Sequence, residues 1–129
     1  MDLGTIDKSL YRVITTEIAT DEVIITDEQI SHIKEKHPES FRSIISGLKE
    51  FLSDPDMILN DGRRKDTGLI IKRLESQERY VLLVFKICTN TQGGKLSNSV
   101  ISGWNISSGR LRNYLKTREV LYTRDDFVI

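Results

Sequence analysis

The first half of the chain shows the residue spacing of amphipathic helices. A short apolar segment, residues 23–25, predicts a buried strand or an extended lead-in, and Thr26 and Gln29 after it have the spacing of a helix-starting capping box. Proline disfavours helical backbone in the residue before it, so Pro38 predicts that this helix ends at or near His37. A second helix is predicted from apolar residues spaced three and four apart: Phe41, Ile44, Ile45, Leu48 and Leu52.

After residues 54–55, an Asp-Pro pair, the periodicity changes to that of β-strands. Short runs rich in β-branched and aromatic residues predict strands at 57–59, 69–74, 80–87 and 99–104. The last three runs are separated by turn-rich segments at 75–79 and 89–98. Consecutive hairpins of this kind predict antiparallel pairing.

The C-terminal part predicts one more helix and one more strand. Ser107 and the two residues after it open the helix, with Leu111, Tyr114 and Leu115 facing inward, and an apolar run at 120–122 returns as a strand. A length of 129 residues suits one domain, residues 1–129, with its own core. Helices first and strands second predict an α+β fold, with N-terminal helices packed on an antiparallel sheet.

The formal net charge of zero hides an uneven distribution of charge. Residues 1–59 contain 6 Lys or Arg and 12 Asp or Glu, whereas residues 60–118 contain 12 and 4. A cationic segment of this kind indicates an anionic partner, most often nucleic acid. A solvated basic face explains the charge equally well.

Both histidines of the chain, His32 and His37, lie within six positions of each other. Histidine titrates near neutrality, so the pair could supply a base and an acid. Positions five apart on a regular helix point about 140° away from each other, so both reach one site only if the helix breaks near Pro38. His37 is the stronger candidate because it continues the apolar face of the helix. The alternative is structural, with His37 as a cation at a helix C-terminus and His32 at the core boundary.

The composition argues against a disulfide, a multi-cysteine zinc site and a membrane-spanning segment. The single cysteine, Cys88, excludes an intrachain disulfide and a multi-cysteine zinc site, and its apolar setting favours an inert thiol. The N-terminal residues lack the features of a signal peptide, and the longest apolar run is too short to span a bilayer. We therefore expect a cytoplasmic protein that uses no cofactor and no metal and does not contact membranes.

The order of several weak motifs resembles a known family. These motifs are His-Ile-x-x-x-His-Pro, a second helix, Asp-Pro-Asp at 54–56 entering a strand, the strand at 80–82, and the hydroxyl-rich strand 99–104 followed by Arg110 and Tyr114. Over about residues 23–122 this order resembles the phage-associated branch of the barnase/EndoU/colicin/RelE-like nucleases. The resemblance implies helices packed on an antiparallel sheet and RNA cleavage without a metal. Where the family strand usually has Thr, this chain has Ser102.

The chemistry of RNA cleavage suggests roles for individual residues. A base takes the proton of the 2′-hydroxyl, an acid protonates the departing 5′-oxygen, and cations stabilise the phosphorane between these steps. His37 and His32 are the acid–base candidates, Lys86 and Arg110 the phosphate-binding catalytic cations, and Ser102 a positioning hydroxyl. Candidates for substrate binding are Lys72, Arg112, Tyr114 and Trp104. The basic turn at residues 63–65 suits either a phosphate-attracting loop or plain solvated charge.

Single-stranded RNA is the expected partner of this chain. The leading hypothesis is a toxin-like endoribonuclease associated with phage or a mobile element, and such a role would also call for an inhibitory protein partner. The main alternative is an inactive nucleic-acid-binding or protein-docking module on the same fold. No nicotinamide-binding motif supports a third class, an ADP-ribosyl-transfer domain.

Overall fold

A computed structural model describes residues 1–74, 78–89 and 96–129 of the chain. The helices and strands in these residues follow one another in the order β1 (Asp2–Thr5), α1 (Lys8–Tyr11), β2 (Glu22–Ile24), α2 (Asp27–Lys36), α3 (Phe41–Ser53), β3 (Met57–Asn60), β4 (Thr67–Leu74), β5 (Arg79–Lys86), β6 (Asn98–Ser107), α4 (Ser108–Thr117) and β7 (Val120–Thr123). The seven strands form one sheet in the order β1-β2-β6-β5-β4-β3-β7. The turn segments predicted at 75–79 and 89–98 lie partly outside the described residues.

The central part of the sheet agrees with the sequence-based prediction. β3, β4, β5 and β6 pair antiparallel with their neighbours in chain order. Residues 80–85 of β5 are all buried, since the strand has a neighbour on each side and packing on both faces. A near-continuous apolar run is what such a central strand requires.

Two features of the predicted fold are wrong. β2 overlaps the segment 23–25 that was predicted as a buried strand or an extended lead-in, but β1 and the one-turn helix α1 before it were not predicted, so the chain does not begin with helices. The sheet is mixed rather than antiparallel, because β2 runs parallel to β6 through the Val23–Asn98 and Ile24–Ser99 pairs. β1 and α1, with four residues each, are too short to show a periodicity. The direction of β2 is set by packing against a distant strand, which no turn motif reports.

The two faces of the sheet carry separate apolar clusters. On one face, called here the α3 face, Ile70, Leu83 and Phe85 pack with residues of α1, α2 and α3. The opposite face, called the α4 face, contains Leu82 and Val84 together with Leu111 of α4 and further residues from β3, β4 and β6. Side chains alternate between faces along a strand, so the face of each strand residue follows from its neighbours.

The boundaries of α2 confirm the helix signals in the sequence. The hydroxyl of Thr26 accepts a hydrogen bond from the Gln29 amide at 3.1 Å, and Gln29 Oε1 accepts one from the Thr26 amide at 3.0 Å. His37 is the C-cap, with φ −136° and ψ 57° outside the helical region.

No helix in the described part of the chain is long and apolar enough to cross a membrane.

The N-terminal segment is tied into the core by Tyr11. This side chain is buried against the Phe85 ring, and its hydroxyl donates a hydrogen bond to the Leu52 carbonyl at 2.6 Å. Burial raises the pKa of Tyr11, which keeps the hydroxyl protonated as this bond requires. The first 22 residues are therefore part of the same structural unit as α3 and the sheet.

We expect Tyr11→Phe to lower the free energy of unfolding by about 1–2 kcal/mol, because it leaves a buried carbonyl without its donor. Urea denaturation at neutral pH measures this difference. The stabilisation in the parent protein should decline as the pH rises above about 10, where a tyrosine in the unfolded chain ionises. An unchanged unfolding midpoint in the variant would show that the hydroxyl adds nothing.

Candidate active site

A cleft of about 510 Å³ opens beside β6 on the α4 face of the sheet. It is called here the histidine cleft, and it is lined by Glu28, Gln29, His32, His37, Arg64, Val84, Ile101, Ser102 and Trp104. These residues come from α2, from the end of that helix, from the β3–β4 turn and from β5 and β6. The cleft therefore brings together segments that are far apart in the sequence.

Helix α2 supplies one wall of the histidine cleft. Glu28 and His32 are four residues apart, so they lie on the same side of the helix, and both are exposed. Ile33, the residue after His32, is fully buried and fixes the rotation of the helix against the α3 face. This packing turns His32 away from the core and toward the cleft.

His37 enters the same cleft because α2 ends there. Its backbone N–H still donates to the Ile33 carbonyl at 2.8 Å, but its own backbone has left the helical region. The imidazole stacks on the Trp104 indole, with ring centroids 5.3 Å apart and planes inclined by 27°. Stacking covers a face of the imidazole, whereas the ring nitrogens lie in its plane and are not part of the stacked surface.

A β-bulge in β6 shapes the floor of the cleft. Val84 pairs with Ser102 and Phe85 with Val100, so Ile101 is an extra residue in β6. The bulge lets Ile101 and Ser102, although adjacent, both line the cleft. Ser102 is only 9% exposed as a residue, and it lines the cleft together with both histidines.

The turn between β3 and β4 brings Arg64 to the cleft. Asp61 is buried, and its carboxylate accepts a hydrogen bond from the Arg64 backbone at 2.8 Å and lies 3.7 Å from the guanidinium. The Gly62 amide donates to the Asn60 side chain at 2.9 Å, and the positive φ of Gly62, 80°, suits a residue without Cβ. These bonds set the backbone position of Arg64, whose side chain remains 54% exposed.

Comparison with known protein families identifies the kind of protein to which this site belongs. The family described as phage-Barnase-EndoU-ColicinE5/D-RelE like nuclease2 matches residues 2–123. The chain is a member of this nuclease2 family. Comparisons with curated proteins and with solved structures gave no match.

Membership of the nuclease2 family confirms the resemblance found in the order of the motifs. The match also includes β1 and α1, which lie before the region of about 23–122 in which the resemblance was seen. Four of the predicted site residues, His32, His37, Ser102 and Trp104, line one cleft in this nuclease2 member.

Lys86 does not line the histidine cleft. Alternation along β5 puts Lys86 on the α4 face with Val84, and its ammonium group donates to the Lys65 carbonyl at 3.4 Å. It lines a different pocket, with Ile87, Cys88, Thr89, Ser97 and Ser99. Lys86 is therefore close to the turn that carries Arg64.

The predicted residues of α4 form a separate group. Arg110 and Tyr114 line a pocket on α4 with Asn113, Thr117 and Arg118, and none of these residues lines the histidine cleft. Arg112 is exposed on the same helix and lines neither pocket. The structure therefore does not bring Arg110 to the histidines, where a catalytic phosphate-binding residue was expected.

Lys72 belongs to an ion-pair cluster outside the histidine cleft. Its ammonium group donates to the Asp54 carboxylate at 3.2 Å and lies 3.8 Å from Asp56, and Arg124 pairs with the same two carboxylates. The hydrogen bond from Lys72 lowers the pKa of Asp54. Alternation puts Lys72 with Ile70 on the α3 face, away from the histidine cleft.

Two charged residues of the cleft, Glu28 and Arg64, were absent from the predicted site. Glu28 could have been found from its helical spacing to His32, which predicts that the two side chains share one side of α2. Arg64 lies in a basic turn, and its sequence context gives no sign that the turn reaches the end of α2. Within residues 1–74, 78–89 and 96–129, no three His, Cys, Asp or Glu side chains are grouped as metal ligands.

Proposed function

We propose that this nuclease2 member is a metal-independent endoribonuclease that cleaves single-stranded RNA by attack of the 2′-hydroxyl. The observation that carries the proposal is the histidine cleft, where two imidazoles, a guanidinium and a hydroxyl converge in a chain of a nuclease family. Imidazoles can move protons near neutral pH, and a guanidinium can stabilise charge on phosphate. The set is sufficient for transesterification without any further group.

The reaction needs two proton transfers at opposite ends of the bond change. One imidazole acts as the base and takes the proton of the 2′-hydroxyl, whose oxygen attacks phosphorus. A second group acts as the acid and gives a proton to the departing 5′-oxygen. His37 is assigned to one of these roles because it is half-buried and held by Trp104. His32, exposed on α2, is assigned to the other. A single positioned group of this kind is typically worth about 10²–10⁴-fold in rate.

Arg64 is assigned to the phosphate. The phosphorane carries more negative charge on its oxygens than the ground state, so a cation held beside it lowers the barrier. Among the described residues that line the histidine cleft, Arg64 is the one Lys or Arg. Asp61 holds the turn through the Arg64 backbone, which lets the half-exposed guanidinium turn toward a phosphate. Ser102 would donate a hydrogen bond to the same phosphate, and Lys86 would attract the neighbouring phosphate of the RNA.

The test is cleavage of single-stranded RNA by the purified protein and by a matched pair of variants. Arg64→Ala should lower kcat by about 10²–10³-fold, the usual effect of removing one donor to a developing oxyanion. Arg63→Ala makes the same charge change one residue earlier, at an exposed residue that does not line the cleft, and should lower kcat much less. Single-turnover rates separate the chemical step from binding.

Equal losses in the two arginine variants would mean that the turn supplies only diffuse charge. RNA that is bound but not cut by the parent protein would contradict the enzyme and favour a binding module on the same fold. A toxin-like role in phage or a mobile element, an inhibitory protein partner and a cytoplasmic location remain predictions.

A further inference from the structure

A second pocket lies on α4, called here the α4 pocket. It has a volume of about 330 Å³ and is lined by Arg110, Asn113, Tyr114, Thr117 and Arg118. The nuclease reaction proposed above does not use it. Its chemical groups are two guanidinium groups, a phenol ring, an amide and a hydroxyl.

The cations of the α4 pocket have no carboxylate partner within the described residues, and the side-chain hydrogen bond that they make there runs from Arg118 Nη1 to Thr117 Oγ1 at 2.9 Å. Residues 79–118 contain no Asp or Glu, so no carboxylate of this segment can neutralise them. Within the described residues neither Arg110 nor Arg118 is in an ion pair. The Nε of Arg118 is buried and has no hydrogen-bond partner among these residues.

The pocket also has an aromatic group suited to a base. Tyr114 is half-buried and packs against the apolar cluster of the α4 face, so its ring is held in place. The Arg118 guanidinium lies 5.8 Å from the centre of this ring. An aromatic ring beside guanidinium groups is the combination with which proteins bind successive nucleotides of a single strand.

The α4 pocket adjoins the turn that supplies Arg64 to the histidine cleft. Gly62 lies against Arg118 so closely that a Cβ on the glycine would be 3.4 Å from Arg118 Cδ. The backbone N–H of Asn60, just before this turn, donates to the Glu119 carbonyl at 2.9 Å, beside Arg118. An RNA strand that passes Arg64 on leaving the histidine cleft would therefore meet the end of α4.

We propose that the α4 pocket is a subsite for a nucleotide of single-stranded RNA that flanks the nucleotides held in the histidine cleft. Tyr114 stacks on the base, and Arg110 and Arg118 bind the phosphate. This inference rests on the proposed function for the identity of its ligand. The subsite contributes to binding and not to the bond change.

Binding of 2′-O-methyl oligonucleotides tests the subsite without depending on cleavage. In the parent protein a hexanucleotide should bind at least about fivefold more tightly than a dinucleotide, since one stacked base is worth about 1–3 kcal/mol. Tyr114→Ala should remove most of this length-dependent gain, whereas Tyr114→Phe keeps the ring and should retain it. Arg118→Gln should also reduce the gain. Lys116→Ala, an exposed cation on the same helix outside the pocket, is the control and should retain it.

Fluorescence anisotropy measures these affinities, and circular dichroism confirms that each variant is folded. The subsite is refuted if the hexanucleotide gains no affinity in the parent protein, or if the gain survives in both Tyr114→Ala and Arg118→Gln. Unmodified RNA that stays uncut, together with a length gain that depends on Tyr114, would refute the proposed catalysis and retain the subsite. Normal cleavage of RNA, together with a length gain that is unaltered in both variants, would refute the subsite and retain the proposed catalysis.

Discussion

His37→Phe should lower kcat for RNA cleavage by about 10²–10⁴-fold and leave the fold intact. Phenylalanine preserves a planar ring that can stack on Trp104, so the packing at the end of α2 is retained. It has no group that can accept or donate a proton. The loss in rate therefore reports proton transfer rather than the structural role of a ring at a helix end.

The measurement is the single-turnover rate over a pH range, with thermal unfolding of each variant as a check of folding. The parent rate should change between about pH 6 and 7, the region in which imidazole groups generally titrate. Lys36→Ala, an exposed residue of the last turn of α2, provides a control that removes charge beside the cleft. Unchanged rates in folded His37→Phe and in His32→Ala would show that the two histidines are structural.

Cleavage should depend completely on the 2′-hydroxyl of the RNA and should persist in excess chelator. Attack by the neighbouring 2′-oxygen makes the substrate its own nucleophile, so no metal-activated water is needed. RNA with 2′-O-methyl at the cut position and DNA should remain intact. The products should carry 2′,3′-cyclic phosphate or 3′-phosphate ends, which mass spectrometry of the fragments distinguishes from 5′-phosphate ends.

The opposite pattern would overturn this mechanism. Cutting that stops in chelator and returns with a divalent cation would assign the nucleophile to metal-bound water. Equal cutting of DNA would show that the 2′-hydroxyl takes no part. In either case the roles assigned to His37 and His32 would have to be withdrawn, while membership of the nuclease2 family would stand.

Much of the fold was predictable from the sequence because its signals are local. The capping box of Thr26 and Gln29, the helix end before Pro38 and the apolar stripe of α3 depend on residues within a few positions of each other. The hairpins joining β4, β5 and β6 are likewise short-range, and they confirm the predicted antiparallel pairing. The order of these motifs was also sufficient to identify the nuclease family.

The sequence predicted four residues of the candidate site, but it predicted their arrangement only at the end of α2. An intact helix would have pointed His32 and His37 about 140° apart, and the break at the C-cap is what lets both line one cleft. Ser102 reaches the cleft through a bulge in β6, and Trp104 through its stacking with His37. Residue type and spacing marked these four residues as candidates, while the geometry came from the folded chain.

By itself, the sequence determined the local elements, the nuclease family and the chemical types available for catalysis. The tertiary structure decided which cations belong with the histidines. Arg64 lines their cleft, whereas Lys72 is paired with carboxylates near the α3 face and Arg110 lies in the α4 pocket. The physical reason is that a charged side chain looks the same in a sequence whether it faces a cleft, an aspartate or solvent. Its neighbours are set by strand register and helix packing between residues far apart in the chain.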